Sequence, residues 1–355
     1  MLLFSRRTDT ISYRLSRIVV VATSLTLASC GGSGLTGGAP PASATGVEAQ
    51  HGKVNSVGQH KSCPCLYVTN LQGGSEGIGS VTVYAAGAGG NAAPIQEISG
   101  SNTGLFDPES IAVDASGNIY VGNINAGSVT VYAAGATGNV APAATISGSS
   151  TKLDAPTGIA IDPANGDLYV ANVGNNSVTF YAPGSNGNVS PIGVVTGSNT
   201  LLDAPEGLAL DPSGNIYVPN YESNALTVYA AGSTGNVAPA REISGARTKL
   251  DTPIQLALDS SLNAYVANPG GNSLTVYAAG AKKNVAPIER LYGGPTKLES
   301  PYGVAVDSGG TIYASNNGNN SVTVYPAGSN GRVAPMARIM GSRTDLESPY
   351  GITFH

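Results

Sequence analysis

Tryptophan is absent from this chain of 355 residues, and cysteine, histidine and methionine occur only three times each. Three cysteines cannot staple a disulfide-dense scaffold of this length. The histidines stand at 51, 60 and 355, so the long middle of the chain offers no imidazole for acid–base chemistry or metal ligation. Charge is scarce: 11% of residues are Asp, Glu, Lys or Arg, with a net charge of −5 and no basic run. Phosphate contacts from Lys and Arg supply much of the affinity for nucleic acid, so that partner is excluded. The apolar stretch Ile18 to Ala28 has 11 residues, too few to span a bilayer. What abounds is glycine (48), proline (22) and a 41% apolar fraction rich in Val, Ile, Ala and Tyr. Turn formers mixed with β-formers indicate many short strands and an all-β fold.

Arg6, Arg7, Arg14 and Arg17 precede the stretch 18–28, which ends in Leu27-Ala28-Ser29-Cys30. A basic segment followed by a short apolar one and small residues reads as an export signal. Its end resembles the lipobox of bacterial lipoproteins. That resemblance implies cleavage before Cys30 and a diacylglycerol on its thiol. Residues 1–29 are then a signal peptide, and the protein is exported and held in the cell envelope by a membrane anchor at Cys30. In a Gram-negative host the membrane is the outer one. Removing residues 1–29 takes out four Arg and one Asp, leaving 13 basic and 21 acidic residues and a charge of −8. Residues 30–62 are Gly-, Ser-, Ala- and Pro-rich with few large apolar side chains, the composition of a flexible tether.

The rest, 63–355, is periodic. Ser-Val-Thr-Val-Tyr or a near variant ends at Tyr84, Tyr132, Tyr181, Tyr229, Tyr277 and Tyr325, in steps of 48, 49, 48, 48 and 48 residues. Each unit predicts four strands, A to D; in the second they fall at Ser110–Asp114, Asn118–Gly122, Ser128–Tyr132 and Val140–Ile146, joined by Asp/Gly-type turns. Pro94, Pro142, Pro191, Pro239, Pro287 and Pro335 fall on strand D, which suits an outer edge strand that must not pair with other molecules. The first unit, from Leu66, has B, C and D but no A. The last segment, Pro349 to His355, matches the strand A at Pro301 to Asp307 and stops there. The expectation is a monomeric six-bladed β-propeller of four-stranded antiparallel blades, closed by the C-terminal strand entering the N-terminal blade.

Leu153 to Asp162 followed by Leu168 to Val178 resembles NHL-type propeller repeats, and the likeness extends over 66–355. The sequence departs from that pattern where an Asp and an Arg are usual: Asn70, Asn123, Asn172, Asn220, Asn268 and Asn316 occupy the first position and Ser or Ala the second. A neutral hydrogen bond is expected in place of the ion pair. NHL proteins include binding and sensor domains, and related propellers include lactonases and streptogramin lyases. The lyases rely on a histidine inside the propeller, which is missing here. A lactonase would bring calcium, held by Glu, Asp and Asn at the channel mouth. No other cofactor is implied.

Residues repeated in every unit are expected to serve the scaffold: Asp114, Asp162, Asp211, Asp259 and Asp307 as turn caps, and Thr103, Thr151, Thr200, Thr248, Thr296 and Thr344 as loop-ordering groups. Function is sought where the units differ. Directly after the strand-A prolines stand Glu109, Thr157, Glu206, Ile254, Tyr302 and Tyr350, which should ring the channel mouth. Tyr221 and Glu222 join them from one B–C loop, and the insertion 71–79 adds Glu76. The candidate binding site is Glu109, Glu206, Tyr221, Glu222, Tyr302 and Tyr350, suited to a cationic or carbohydrate-like ligand. The partner is accordingly a small molecule, a glycan or a protein. Cys63 and Cys65 flank Pro64 beside His355, and three states are open to them: a local disulfide, free thiols, or a thiolate–histidine metal site with His60 or His355.

Overall fold

The computed structural model describes residues 64–74 and 77–355. The signal peptide, Cys30, the tether, Cys63, His60 and Glu76 lie outside the described residues. Within them are six four-stranded antiparallel sheets and almost no helix. Blade 2 shows the pattern: A is Pro108–Val113, B is Ile119–Asn123, C is Ser128–Tyr132 and D is Ala144–Ile146. Blade 1 takes its strand A from the other end of the chain. Pro349–Phe354 pairs with Cys65–Asn70, setting Leu66 opposite Phe354 and Val68 opposite Ile352. His355 and Cys65 extend that ladder through both backbone N–H groups (2.6 and 3.0 Å).

Strand D is shorter than expected. Val140 to Ala143 lie outside it because the chain first crosses to the preceding blade, where Gly138 forms a parallel bridge with Ile98. The six prolines therefore sit two residues before strand D rather than within it, for example Pro142 ahead of Ala144 and Pro287 ahead of Glu289. They fix the entry to the edge strand, where no ladder donor is lost.

The apolar side chains form six cores, one in each gap between neighbouring blades. Val81 and Ile98 of blade 1 meet Ile111 and Val121 of blade 2, and Leu66 and Ile352 of blade 1 meet Val322 and Ile339 of blade 6. Val/Ile alternation on strands B and C feeds both faces of each blade, which is why these strands are buried almost throughout. The tyrosine that ends strand C is at most 1% exposed in every blade. Its hydroxyl donates to the backbone carbonyl of a loop threonine, as from Tyr132 to Thr103 (2.7 Å) and from Tyr229 to Thr200 (2.6 Å).

Both repeated polar sets serve the scaffold. The Asn123 amide donates to Val121 O and Thr130 Oγ1 (3.2 and 3.1 Å), while its oxygen accepts from the Phe106 N–H (3.1 Å). Asp114 Oδ1 accepts two turn N–H groups, from Ser116 and Asn118, at 2.9 Å.

Candidate functional site

Loops D–A and B–C share one face of the ring, and at its centre the six strands A converge. Their approach there is close enough to dictate sequence. A Cβ on Gly207 would stand 2.4 Å from Ile254 O, and one on Gly303 would stand 2.4 Å from Tyr350 O. Glycine at these positions lets neighbouring backbones meet.

The residues just before these glycines cap the channel rather than line an open mouth. Tyr350 of blade 1 reaches across the ring to blade 4, donating its hydroxyl to Glu206 Oε2 (3.4 Å). Gln255 of blade 5 reaches to blade 2, its amide donating to Glu109 O (2.9 Å). Thr157 donates to Pro205 O (2.9 Å), and the rings of Tyr302 and Tyr350 meet edge to face at 4.7 Å. Below this cap lies a channel cavity of about 280 Å³ lined by all six strands A; its last ring, which includes Val113, Leu258 and Phe354, is partly exposed.

The electrostatics of the cap are unusual for so neutral a chain. Glu109 is buried, and Oε2 of its carboxylate has no hydrogen-bond partner. Burial raises its pKa well above the ordinary carboxylate value; the charges of Glu206 and Asp107 add to the rise, and a hydrogen bond from Tyr350 opposes it. Glu206 is partly exposed, and burial lifts its pKa to about 7, against a Tyr350 hydrogen bond that lowers it and with the charge of Glu222 raising it further. Burial also raises Tyr350, helped by the two glutamates and by Tyr302. One phenol hydroxyl between two carboxylates has a single hydrogen to give, so the cluster lacks a donor unless a glutamate is protonated.

Four of the six anticipated residues are thus brought together: Glu109, Glu206, Tyr302 and Tyr350. Glu222 is exposed in a B–C turn and acts on Glu206 through its charge. Tyr221 shares that turn, tied down by its own N–H to Ala204 O (3.0 Å), and its side chain makes no hydrogen bond to the cluster. Gln255 was not anticipated. Its signal is a break in the repeat, since the matching residues are Ser110, Gly158, Gly207, Gly303 and Gly351. Cys65 and His355 are adjacent as expected, at the far end of blade 1. Among the described residues no group of three His, Cys, Asp or Glu is placed to hold a metal ion.

No curated protein matches the sequence. Many solved structures do match in fold. A Bacteroides caccae protein of unknown function is 12% identical with a TM-score of 0.60, covering 82% of this chain and 99% of its own. A chain of a nidogen/laminin complex is 15% identical with a TM-score of 0.57, covering 82% and 98%. A catalytically inactive virginiamycin B lyase from Staphylococcus aureus, with quinupristin, is 14% identical with a TM-score of 0.50, covering 75% and 82%. At these identities the likeness is one of fold. Residues 82–246 match the family model described as SMP-30/Gluconolactonase/LRE-like region. That stretch runs from strand C of blade 1 to just past strand D of blade 4, so the likeness to this family covers 165 of the 355 residues and part of the six-bladed ring.

Proposed function

We propose that this propeller is a binding module, carried outside the cytoplasm on a lipid at Cys30. Its ligand meets the capped face through Glu109, Glu206, Tyr302 and Tyr350, with Tyr221 and Glu222 at the edge. The ligand group is a protonated amine, borne by a small molecule or by a glycan or protein. One observation carries this reading: Glu109 Oε2 is buried without a partner, beside a second carboxylate that keeps its proton to near neutral pH. An ammonium group supplies both the missing donor and the missing charge, and the two tyrosine rings add a cation–π surface.

The second reading is a calcium-dependent hydrolase or lyase, favoured by the family match over 82–246. Calcium takes six to eight oxygen ligands. The cap gathers two carboxylates, and among the described residues no group of three His, Cys, Asp or Glu is placed to hold a metal ion. That donor set does not fit calcium, and no catalytic step is assigned.

The test is calorimetric titration with primary and quaternary amines and their uncharged alcohol analogues, in two buffers of different ionisation enthalpy. Amines should bind selectively and release a proton as a glutamate ionises, and Glu109→Gln should abolish both effects. Equal binding of amines and alcohols, or an unchanged Glu109→Gln variant, would refute the reading. Stoichiometric calcium lost on Glu109→Gln would move the assignment to the second reading.

A further inference from the structure

Positive charge is distributed unevenly around the ring. Of the eleven Lys and Arg residues in 64–355, all but Lys152 fall between Arg241 and Arg343, on blades 4 to 6 and the loops joining them. No lysine or arginine forms an ion pair with a carboxylate among the described residues. These charges are available to a partner.

Three of the eleven meet in a trough of about 530 Å³ on the outer wall between blades 4 and 5. Arg241, Lys282 and Lys283 line it along with one acid, Glu242, over a floor that includes Pro239 and Leu201. Leu201 is 48% exposed. Arg241 is held ready: its guanidinium lies over the Tyr217 ring, 5.4 Å from the centroid, and donates to the Tyr217 hydroxyl (2.9 Å).

The two lysines replace scaffold residues. At the place of Lys283 the other five blades have Gly90, Gly138, Gly187, Gly235 and Gly331, each with positive φ and each bridged to the strand D before it. Lys283 keeps the bridge to Ile243 and accepts the left-handed backbone (φ 64°), a conformation that side chains disfavour. At the place of Lys282, Thr137, Asn186 and Asn330 tie the same connection to the preceding strand D through side-chain hydrogen bonds (3.2, 3.0 and 3.0 Å). Lys282 makes no such bond, nor do Gly89 and Thr234 at the same place, and both lysines are exposed. A lysine held in the left-handed region where every other blade has glycine, beside a second exposed lysine in the same trough, indicates a role outside the scaffold.

We propose that this trough is a second binding site, for an acidic polysaccharide carrying uronate groups. Arg241, Lys282 and Lys283 pair with successive carboxylates, and the carbon-rich floor takes the apolar faces of the sugar rings. Nucleic acid would look for open aromatic faces to stack on, and the Tyr217 face is taken by Arg241. The site is separate from the capped face and does not depend on it.

The test is binding of the full-length protein to alginate oligomers at low salt, against neutral dextran, polyglutamate and anionic phosphatidylglycerol vesicles. Alginate should bind best, and more weakly as salt rises. The double variant Lys282→Thr, Lys283→Gly restores the residues of blade 4. It should bind about tenfold more weakly, the scale expected for two exposed charge pairs. It should also melt no lower than the wild type, and up to about 2 °C higher with the strain relieved. Glu206→Gln should bind alginate as the wild type does. The proposal is overturned if alginate does not bind, if the double variant binds it equally well, or if polyglutamate or vesicles bind as tightly.

Discussion

Replacing Glu206 by glutamine tests the electrostatics of the cap directly. Burial and the charge of Glu222 raise the Glu206 pKa from an ordinary 4.5 to about 7 in the folded protein, net of the opposing Tyr350 hydrogen bond. A group whose folded pKa is raised contributes stability that is fully present below the unfolded value and lost as pH climbs through the folded one. The window is therefore about pH 4.5 to 7, and stability falls across it. At 1.36 kcal/mol per pKa unit, the loss approaches about 3 kcal/mol. For roughly 290 ordered residues the unfolding entropy near the midpoint is about 0.6 kcal/mol/K, which makes the loss about 5 °C in Tm. Glutamine has nearly the same shape, accepts the Tyr350 hydroxyl through its amide oxygen, and does not titrate. Thermal melts of both proteins from pH 4 to 8 should show the wild type losing ground to Glu206→Gln as pH rises, by about 5 °C in total. Parallel curves, with a pH-independent difference, would refute the argument.

Deleting residues 349–355 removes Tyr350 and Ile352, which are 5% and 6% exposed, and with them the inner ladder of blade 1. Burial of each side chain contributes roughly 1.5–3 kcal/mol, so the truncated protein should melt far below the intact one; equal melting temperatures would contradict closure by this strand. Tyr132→Phe leaves the buried Thr103 carbonyl without its 2.7 Å donor and should destabilise by about 1–3 kcal/mol in urea unfolding, whereas a change near zero would make the tyrosine hydroxyls incidental. Cys30→Ala should release the protein from membranes into the soluble fraction, because an acyl chain contributes about 0.8 kcal/mol per buried methylene; unchanged partitioning would sink the lipid anchor.

The blade count and the clasp were legible because both depend on period alone. Six tyrosines at near-constant spacing and an orphan strand A at the C-terminus leave one way to close the ring. Strand D was overextended for a physical reason. The chain reaches strand D only after Gly138 has paired with strand D of the neighbouring blade, a contact between units that no single unit reveals, and of Val140 to Ala143 only the Ala143 N–H bonds back to strand C, at Val131 O. The cap was half legible. Its residues stood out as the variable positions after the strand-A prolines, but the sequence does not say that Tyr350 spans to Glu206 or Gln255 to Glu109. Those partners are separated by 144 and 146 residues and meet only because opposite blades face each other across a ring. Gln255 lies one position beyond the variable residues that follow the prolines, where the other blades carry Gly or Ser.

The placement of the hydrophobic cores has a consequence for how the molecule comes apart. An open row of six blades has five gaps to fill with apolar side chains, whereas the ring has six. Joining the ends therefore adds a whole layer of buried surface without adding a blade. Conversely, opening the ring anywhere forfeits one layer and leaves two blades each with a bare face. Repeat arrays with free ends fray from those ends, because a terminal unit has only one neighbour. In a circle no unit is terminal, so fraying has no place to start until one gap opens completely.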